Sequence, residues 1–359
     1  MPGWNLQRWT MIVLAGVLGQ SQVAPAPALA AAPLKLATLV PEGSIWDRDL
    51  RAMGDQWQRE TGGRVSLRIY AGGVAGSESD ILRKMRIGQL HAATITLVGL
   101  ADIDPDFEVL GIPMFYESFA EFLYILDGLE PELKARLEAK GYAFVAWGHG
   151  GWVRFFSRAP ILRIDDLRKQ KIFVTAGSDE TVALWKDNGF HPVPLAQTDI
   201  MTGFQTGMID VLGTTPLAAL SLQWFRQASH MSEVGLAPLT GATIVNLRDW
   251  NKIDAADRVI LLRDADAYEK RQRETIPEQD QVAIDEMSRR GLEVTSSADP
   301  QEWNETASRM ADSMRGRTVP PEIYDAAEKL RAEFRARKEA SPSAAAPADA
   351  PAGTAGATP

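Results

Sequence analysis

Residues 34–97 read LKLATLVPEGSIWDRDLRAMGDQWQRETGGRVSLRIYAGGVAGSESDILRKMRIGQLHAATITL, and this stretch decides the fold. Residues 34–39 are a short apolar run suited to a strand, and Pro41, Glu42 and Gly43 then turn the chain. Over residues 44–61, Ile45, Trp46, Leu50, Met53 and Trp57 recur at helical spacing. Gly62 and Gly63 stop that helix. Residues 65–70 alternate as a strand does. A glycine-rich turn over residues 72–76 leads into a helix over about 77–88, and residues 92–97 form a third strand. Such a β-α-β-α-β order predicts parallel strands with helices on both faces. Sheets of this kind collect ligands in the crevice beyond the carboxyl ends of their strands.

The pattern recurs downstream. Residues 142–147, 153–157 and 171–175 read as strands, and 178–189 as a helix ending at Gly189. Residues 192–195 are extended, 197–207 make a short helix closed by Gly207, and 210–214 form a buried strand. From about residue 256 the chain is mostly charged amphipathic helix, clearest over 278–289 and 321–338. Gly148-His149-Gly150-Gly151 suits a hinge or a tight crossing, because glycine accepts dihedrals that other residues avoid.

Composition narrows the function classes. The 359 residues include no cysteine, which excludes disulfides, thiolate metal sites and a cysteine nucleophile. A formal charge of −9 argues against broad binding to nucleic acid or anionic membrane. Arg8 is the only charge in residues 1–30. An apolar run over 11–18 and the small-x-small end Ala28-Leu29-Ala30 predict a signal peptide over residues 1–30, cleaved near Ala30. That run is far shorter than the ~20 residues a membrane span needs. Residues 341–359 are almost entirely Ala, Pro, Gly, Ser and Thr, and are expected to be a disordered tail.

No catalytic constellation is legible. His91, His149, His191 and His230 lack metal-ligand spacing, and no phosphate loop, dinucleotide fingerprint or Gly-x-Ser-x-Gly elbow occurs. Asp102, Asp104 and Asp106 start like a calcium loop, but Phe107 stands where glycine is required. That segment is expected to be a solvated turn.

Five segments in order resemble the TRAP-transporter periplasmic solute-binding protein family. They are Leu67-Arg68-Ile69-Tyr70-Ala71-Gly72-Gly73 with Gly76; Phe107 through Pro113-Met114-Phe115; and Pro160 through Asp165-Asp166-Leu167 with Lys171-Ile172. The last two are Pro192-Val193-Pro194-Leu195 with Phe204 through Asp210, and Ile244-Val245-Asn246 with Trp250. The resemblance covers about residues 34–310. It implies an α/β, two-lobed periplasmic binding protein fold with a hinge and long C-terminal helices. Residues 33–150 plus 240–280 would form lobe I, and 151–239 plus 281–338 lobe II. It further implies a periplasmic receptor, not an enzyme and without a cofactor, that holds a small molecule between its lobes and delivers it to TRAP-type membrane permease subunits.

The chain departs from the family where it matters most. The family's carboxylate-clamping arginine follows two places after the lysine of the strand that begins here at Lys171, and that place is Phe173. A guanidinium gives bidentate bonds to a carboxylate, and a phenyl ring gives none. A second basic position falls on Val153, with Arg154 one residue late, and one step along a strand turns a side chain to the other face. Arg154 would regain the cleft only through a bulge. A position that is often asparagine falls on Thr214 and Thr215. Trp46, Gly73, Trp152, Arg154, Phe173, Thr214 and Thr215 are therefore the candidate ligand-binding residues, and the expected ligand is neutral or hydrophobic. An aromatic cage for a cation, a carboxylate bound by Arg154 or Arg68, and a ligand-sensing partner protein are the alternatives.

Overall fold

The computed structural model describes residues 33–340. The leader expected over 1–30 and the tail expected over 341–359 lie outside them.

Among the described residues, nine strands form one sheet. In chain order they are β1 (Leu34–Thr38), β2 (Leu67–Tyr70), β3 (Ala92–Thr96), β4 (Tyr142–Ser157), β5 (Lys171–Thr175), β6 (His191–Leu195), β7 (Val211–Thr214), β8 (His230–Asn246) and β9 (Glu293–Thr295). Across the sheet they run β2-β1-β3-β8-β4-β7-β5-β6, with β9 beside β8. The opening stretch behaves as its sequence predicts. β1 pairs parallel with β2 and with β3, and helices Ile45–Glu60 and Glu78–Arg86 connect them. Ser44 caps the first helix by accepting from Asp47 N, and Ser77 with Asp80 forms a capping box on the second. Leu50 and Trp57 bury one face of the first helix against Leu36, Ala92 and Val245. β5 pairs parallel with β6 and β7 in a second half-sheet.

β4 and β8 join the two halves. They pair antiparallel along their whole length, from Tyr142 opposite Asn246 to Ser157 opposite His230. One end of β8 pairs with β3, and the far end of β4 pairs with β7. The sequence predicts two strands here, over 142–147 and 153–157. The structure has one, because register shifts at His149/Gly151, Trp152/Arg154 and Arg154/Phe156 absorb the glycine segment without ending the pairing. Gly151 takes φ +98°, which glycine reaches without strain.

Between residues 147 and 152, β4 presents backbone N–H groups that no strand accepts. The 35-residue helix Ala255–Arg289 supplies the acceptors instead. Glu269 accepts from Trp147 N at 2.9 Å, Gln272 from His149 N at 3.1 Å, and Asp280 from Trp152 N at 2.8 Å. Asp280 also accepts from Leu217 N at 3.1 Å, tying this helix to the second half. The helix runs through Pro277, so the amphipathic pattern expected over 278–289 is the second part of a longer element.

The terminal helix Pro321–Ala340 packs on Phe119–Ala139. Arg335 pairs with buried Glu121 at 2.6 Å, Tyr324 meets Phe115 edge-on, and Ile323, Tyr324 and Ala327 join the first half's core. Helix Pro300–Met314 bridges: Trp303 packs with the second half and Met310 and Met314 with the first. Of the three aspartates expected in a solvated turn, Asp102 is exposed near the end of helix Leu97–Ile103, whereas Asp104 and Asp106 are buried. Asp104 bonds Asp106 N, and Arg136 and Lys140 pair with Asp106 and Asp104. Among the described residues no helix is long and apolar enough to cross a membrane.

Candidate functional site

A cavity of about 650 Å3 opens between the two halves. Its walls are the carboxyl ends of strands from both, for Thr38, Thr96, Thr175 and Thr214 end β1, β3, β5 and β7 and line it. This is the crevice that the parallel order predicts.

Four of the seven candidate residues line the cavity: Trp46, Gly73, Phe173 and Thr214. Trp46 is almost fully buried. Its indole N–H donates to the His149 carbonyl of the crossing strand at 2.9 Å, and its ring packs with Leu217, Ala218 and Ile276. It therefore touches the first half, the second half and the long helix together. Gly73 sits at φ +73° where the halves approach. A Cβ there would stand 3.4 Å from Thr198 Cγ2 and 3.1 Å from Leu39 Cδ2. Phe173 is half-buried and rests on the second half's core cluster with Val193 and Leu195.

The other three stand elsewhere. Trp152 lies against Gly235, where an added Cβ would come within 2.2 Å of its Nε1. Thr215 is fully buried, and its hydroxyl accepts from Ala218 N to cap helix Pro216–Ser221. Arg154 has register shifts on both sides, yet its guanidinium donates to the Glu233 carbonyl and is not among the lining groups. Arg68 is exposed on β2, 5.4 Å from the Tyr70 ring, and does not line the cavity either.

Sequence reasoning does not reach several lining residues. Trp224 belongs to a short turn with no motif around it. Tyr268 and Gln272 lie on the long helix, where their spacing of four reads only as one helix face. Glu78 lines the cavity from the start of its helix and is almost fully buried. Its carboxylate accepts from Thr96 N at 2.7 Å, Thr96 Oγ1 at 2.9 Å and Gly99 N at 2.8 Å. Burial nevertheless pushes its pKa up to about 6, against those bonds. Burial drives the His149 imidazole the other way, down to about 3, so it is neutral. Among the described lining residues none is a lysine or arginine.

Chemically, this is a cleft with Trp46, Phe173, Trp224, Met201 and Leu239 as apolar surface, and with threonine hydroxyls, side-chain amides, the Tyr268 hydroxyl, neutral His149 and the Glu78 carboxyl as polar groups. Such a lining can bury an organic molecule and orient it with a few hydrogen bonds.

A family model described as bacterial extracellular solute-binding protein, family 7 (DctP), matches residues 36–317. The 2,3-diketo-L-gulonate-binding periplasmic protein YiaO of Escherichia coli is 25% identical over 272 residues, 75% of this chain and 83% of that protein. A TRAP periplasmic solute-binding protein of Xanthobacter autotrophicus, solved with β-D-galacturonate, superposes with a TM-score of 0.75 at 21% identity, covering 83% of this chain and 99% of that one. DctP7 of Bordetella pertussis, an extracytoplasmic solute receptor binding pyroglutamic acid, superposes at 0.77 with 18% identity over 84% of this chain and all of that one (100%). The chain belongs to the bacterial extracellular solute-binding proteins of family 7, a family of two-lobed α/β receptors and not of enzymes.

Proposed function

We propose that the protein is an exported, periplasmic solute receptor whose cleft takes an uncharged, largely apolar small molecule and presents it to a TRAP-type membrane permease. One observation carries the ligand class. Among the described residues, the lining offers no ammonium or guanidinium, and Phe173 stands in the place of the family's arginine. A carboxylate buried there would lose its hydration without a counter-charge, which costs several kcal/mol on the order of magnitude of buried-ion penalties. Glu78, acidic and in the same wall, would add repulsion. The apolar lining instead rewards a hydrophobic body at roughly 25 cal/mol per Å2 buried.

A second reading, carboxylate binding, is favoured by the neighbours solved with galacturonate and pyroglutamate. Here it requires Arg154 or Arg68, neither of which lines the cavity, to reach the cleft, Arg154 by leaving the Glu233 carbonyl. For the lobes, we assign residues 33–150 with 240–280 and the terminal helix to lobe I, and 151–239 with the start of 281–338 to lobe II. The β4/β8 crossing is the hinge in this reading.

The test is to purify the chain from a host in which it is exported, denature it, and identify what it releases by mass spectrometry. An uncharged apolar compound supports the proposal. A small organic acid in stoichiometric amount overturns it in favour of the second reading.

A further inference from the structure

The long helix brings one neutral donor to the cavity wall. Tyr268 and Gln272 are one turn apart on it, both almost fully buried and both lining the cavity. The ring of Tyr268 packs in the first half's core with Trp57 and Leu261. Gln272 is fixed by its partners. Its Oε1 accepts from His149 N at 3.1 Å, and its Nε2 donates to the Tyr268 hydroxyl oxygen at 3.0 Å. Flipping the amide would set its Nε2 against the His149 N–H, donor against donor, so the bond to the backbone fixes its orientation. The Tyr268 oxygen is therefore an acceptor toward Gln272, and its own proton is directed elsewhere. Among the described residues that hydroxyl makes no other hydrogen bond. Among the described residues no hydrogen bond joins it to the neighbouring Asp49 carboxylate, whose Oδ2 is buried without a partner. Burial first, and Asp49 second, hold the phenol well above its ordinary range, so it stays a neutral O–H.

We propose that Tyr268 is the specificity-determining residue of the cleft, donating a hydrogen bond to an uncharged oxygen (a carbonyl, ether or hydroxyl) on an otherwise apolar ligand. Gln272 positions it by occupying its acceptor side. The assignment rests on the uncharged-ligand reading above. It adds a definite chemistry: a buried donor discriminates strongly against a molecule that leaves it unpaired.

Three probes of similar shape test it on the full chain by ligand-observed NMR titration: acetophenone, which carries a carbonyl; ethylbenzene, which lacks the oxygen; and benzoate, which is an anion. The expected result is that acetophenone binds about 5-fold to 10-fold tighter than ethylbenzene, from one neutral hydrogen bond of about 1 kcal/mol. In the Tyr268→Phe variant that preference should vanish while ethylbenzene binds as before. Unchanged ethylbenzene affinity also shows that the cleft has kept its shape. Three outcomes overturn the role of Tyr268: no binding of acetophenone, equal binding of acetophenone and ethylbenzene to the unaltered chain, or a preference that survives Tyr268→Phe. Benzoate binding tighter than both sinks the uncharged-ligand reading itself, which separates the two failures.

Discussion

Two concavities of comparable size, about 650 Å3 between the lobes and about 770 Å3 on the outside of the first lobe, are lined by different kinds of side chain. The outer groove lies between helix Phe119–Ala139 and the long helix, and it holds Lys134, Arg258, Lys270 and Arg273. Lys134 pairs with Glu130 at 2.6 Å and sits over the Phe144 ring, while Arg273 bonds Glu269 at 2.5 Å and Asp127 at 3.0 Å. The cleft between the lobes has no such group among its described lining. The difference teaches where this chain tolerates a half-buried cation: beside an acid of its own. A cleft that closes on an anion would need the cation to wait there unpaired, at a substantial desolvation cost. In the function proposed above, Phe173 in place of the arginine spares the chain that cost and excludes the anion.

The substitution Phe173→Arg should reverse this contrast and produce the largest effect. It returns a guanidinium to a residue that lines the cavity. Isothermal titration is expected to show D-glucuronate binding at least ~100-fold tighter than to the unaltered chain, or roughly 3 kcal/mol, as suits a bidentate charge-assisted pair. Unchanged affinity would mean that the missing arginine is not what distinguishes the cleft.

Next in size is the latch between the lobes. Asp280→Ala leaves the N–H groups of Trp152 and Leu217 without their acceptor in a buried place. Denaturant unfolding should report a loss of about 2 kcal/mol or more, following the cost of unsatisfied buried donors. Asp280→Asn keeps one acceptor oxygen and should lose less. Equal losses would show that the two bonds are not the reason.

Glu78 sharpens the electrostatic side of the comparison. Its pKa is about 6 in the folded protein, against an ordinary 4.5, so the folded state holds this proton more tightly than the unfolded one. Its contribution is therefore most favourable below pH 4.5 and is lost as pH rises toward 6, by up to about 2 kcal/mol. Stability measured from pH 4.5 to 7 should fall more steeply in the unaltered chain than in Glu78→Gln. Parallel curves would place the titration elsewhere.

The smallest expected effect is at Arg154. Its guanidinium is occupied at the Glu233 carbonyl and is not a lining group. Arg154→Ala should change the affinity for the released ligand by less than about 2-fold, and stability by about 0.5 kcal/mol, as for most surface substitutions. A loss of tenfold or more would give Arg154 a place in the cleft.

Much of this fold is legible because its information is local. In residues 34–97 the helical spacing of Leu50, Met53 and Trp57 and the glycine stops each specify one element, and the parallel order follows. What the sequence hides is set by distant partners. β8 carries Pro238, Gly235 and Gly241 and shows no alternation, yet it is a 17-residue strand because β3 and β4 flank it. The long helix continues through Pro277, where local reasoning starts a new one, because Tyr268, Ile276 and Ala283 on both sides of it are buried against the two lobes. The site divides the same way. Trp46, Gly73, Phe173 and Thr214 could be placed because each stands inside or beside a motif. Trp224, Tyr268 and Gln272 enter the cavity from elements whose position depends on the whole fold. Arg154 shows the limit of counting along a strand, since bulges change the register on both sides of it and its partner is a backbone carbonyl.

The most direct test of the central claim is thermal unfolding of the unaltered, ligand-stripped chain with and without millimolar D-glucuronate or D-galacturonate, beside the compound recovered from the purified protein. Tight binding raises the midpoint by mass action, since a ligand at 100 times its Kd stabilises by about 2.7 kcal/mol. Neither uronate should shift the midpoint, and the recovered compound should raise it by several degrees. A rise of that size with a uronate would contradict the uncharged-ligand reading, and would show that this cleft binds a carboxylate without an arginine at residue 173.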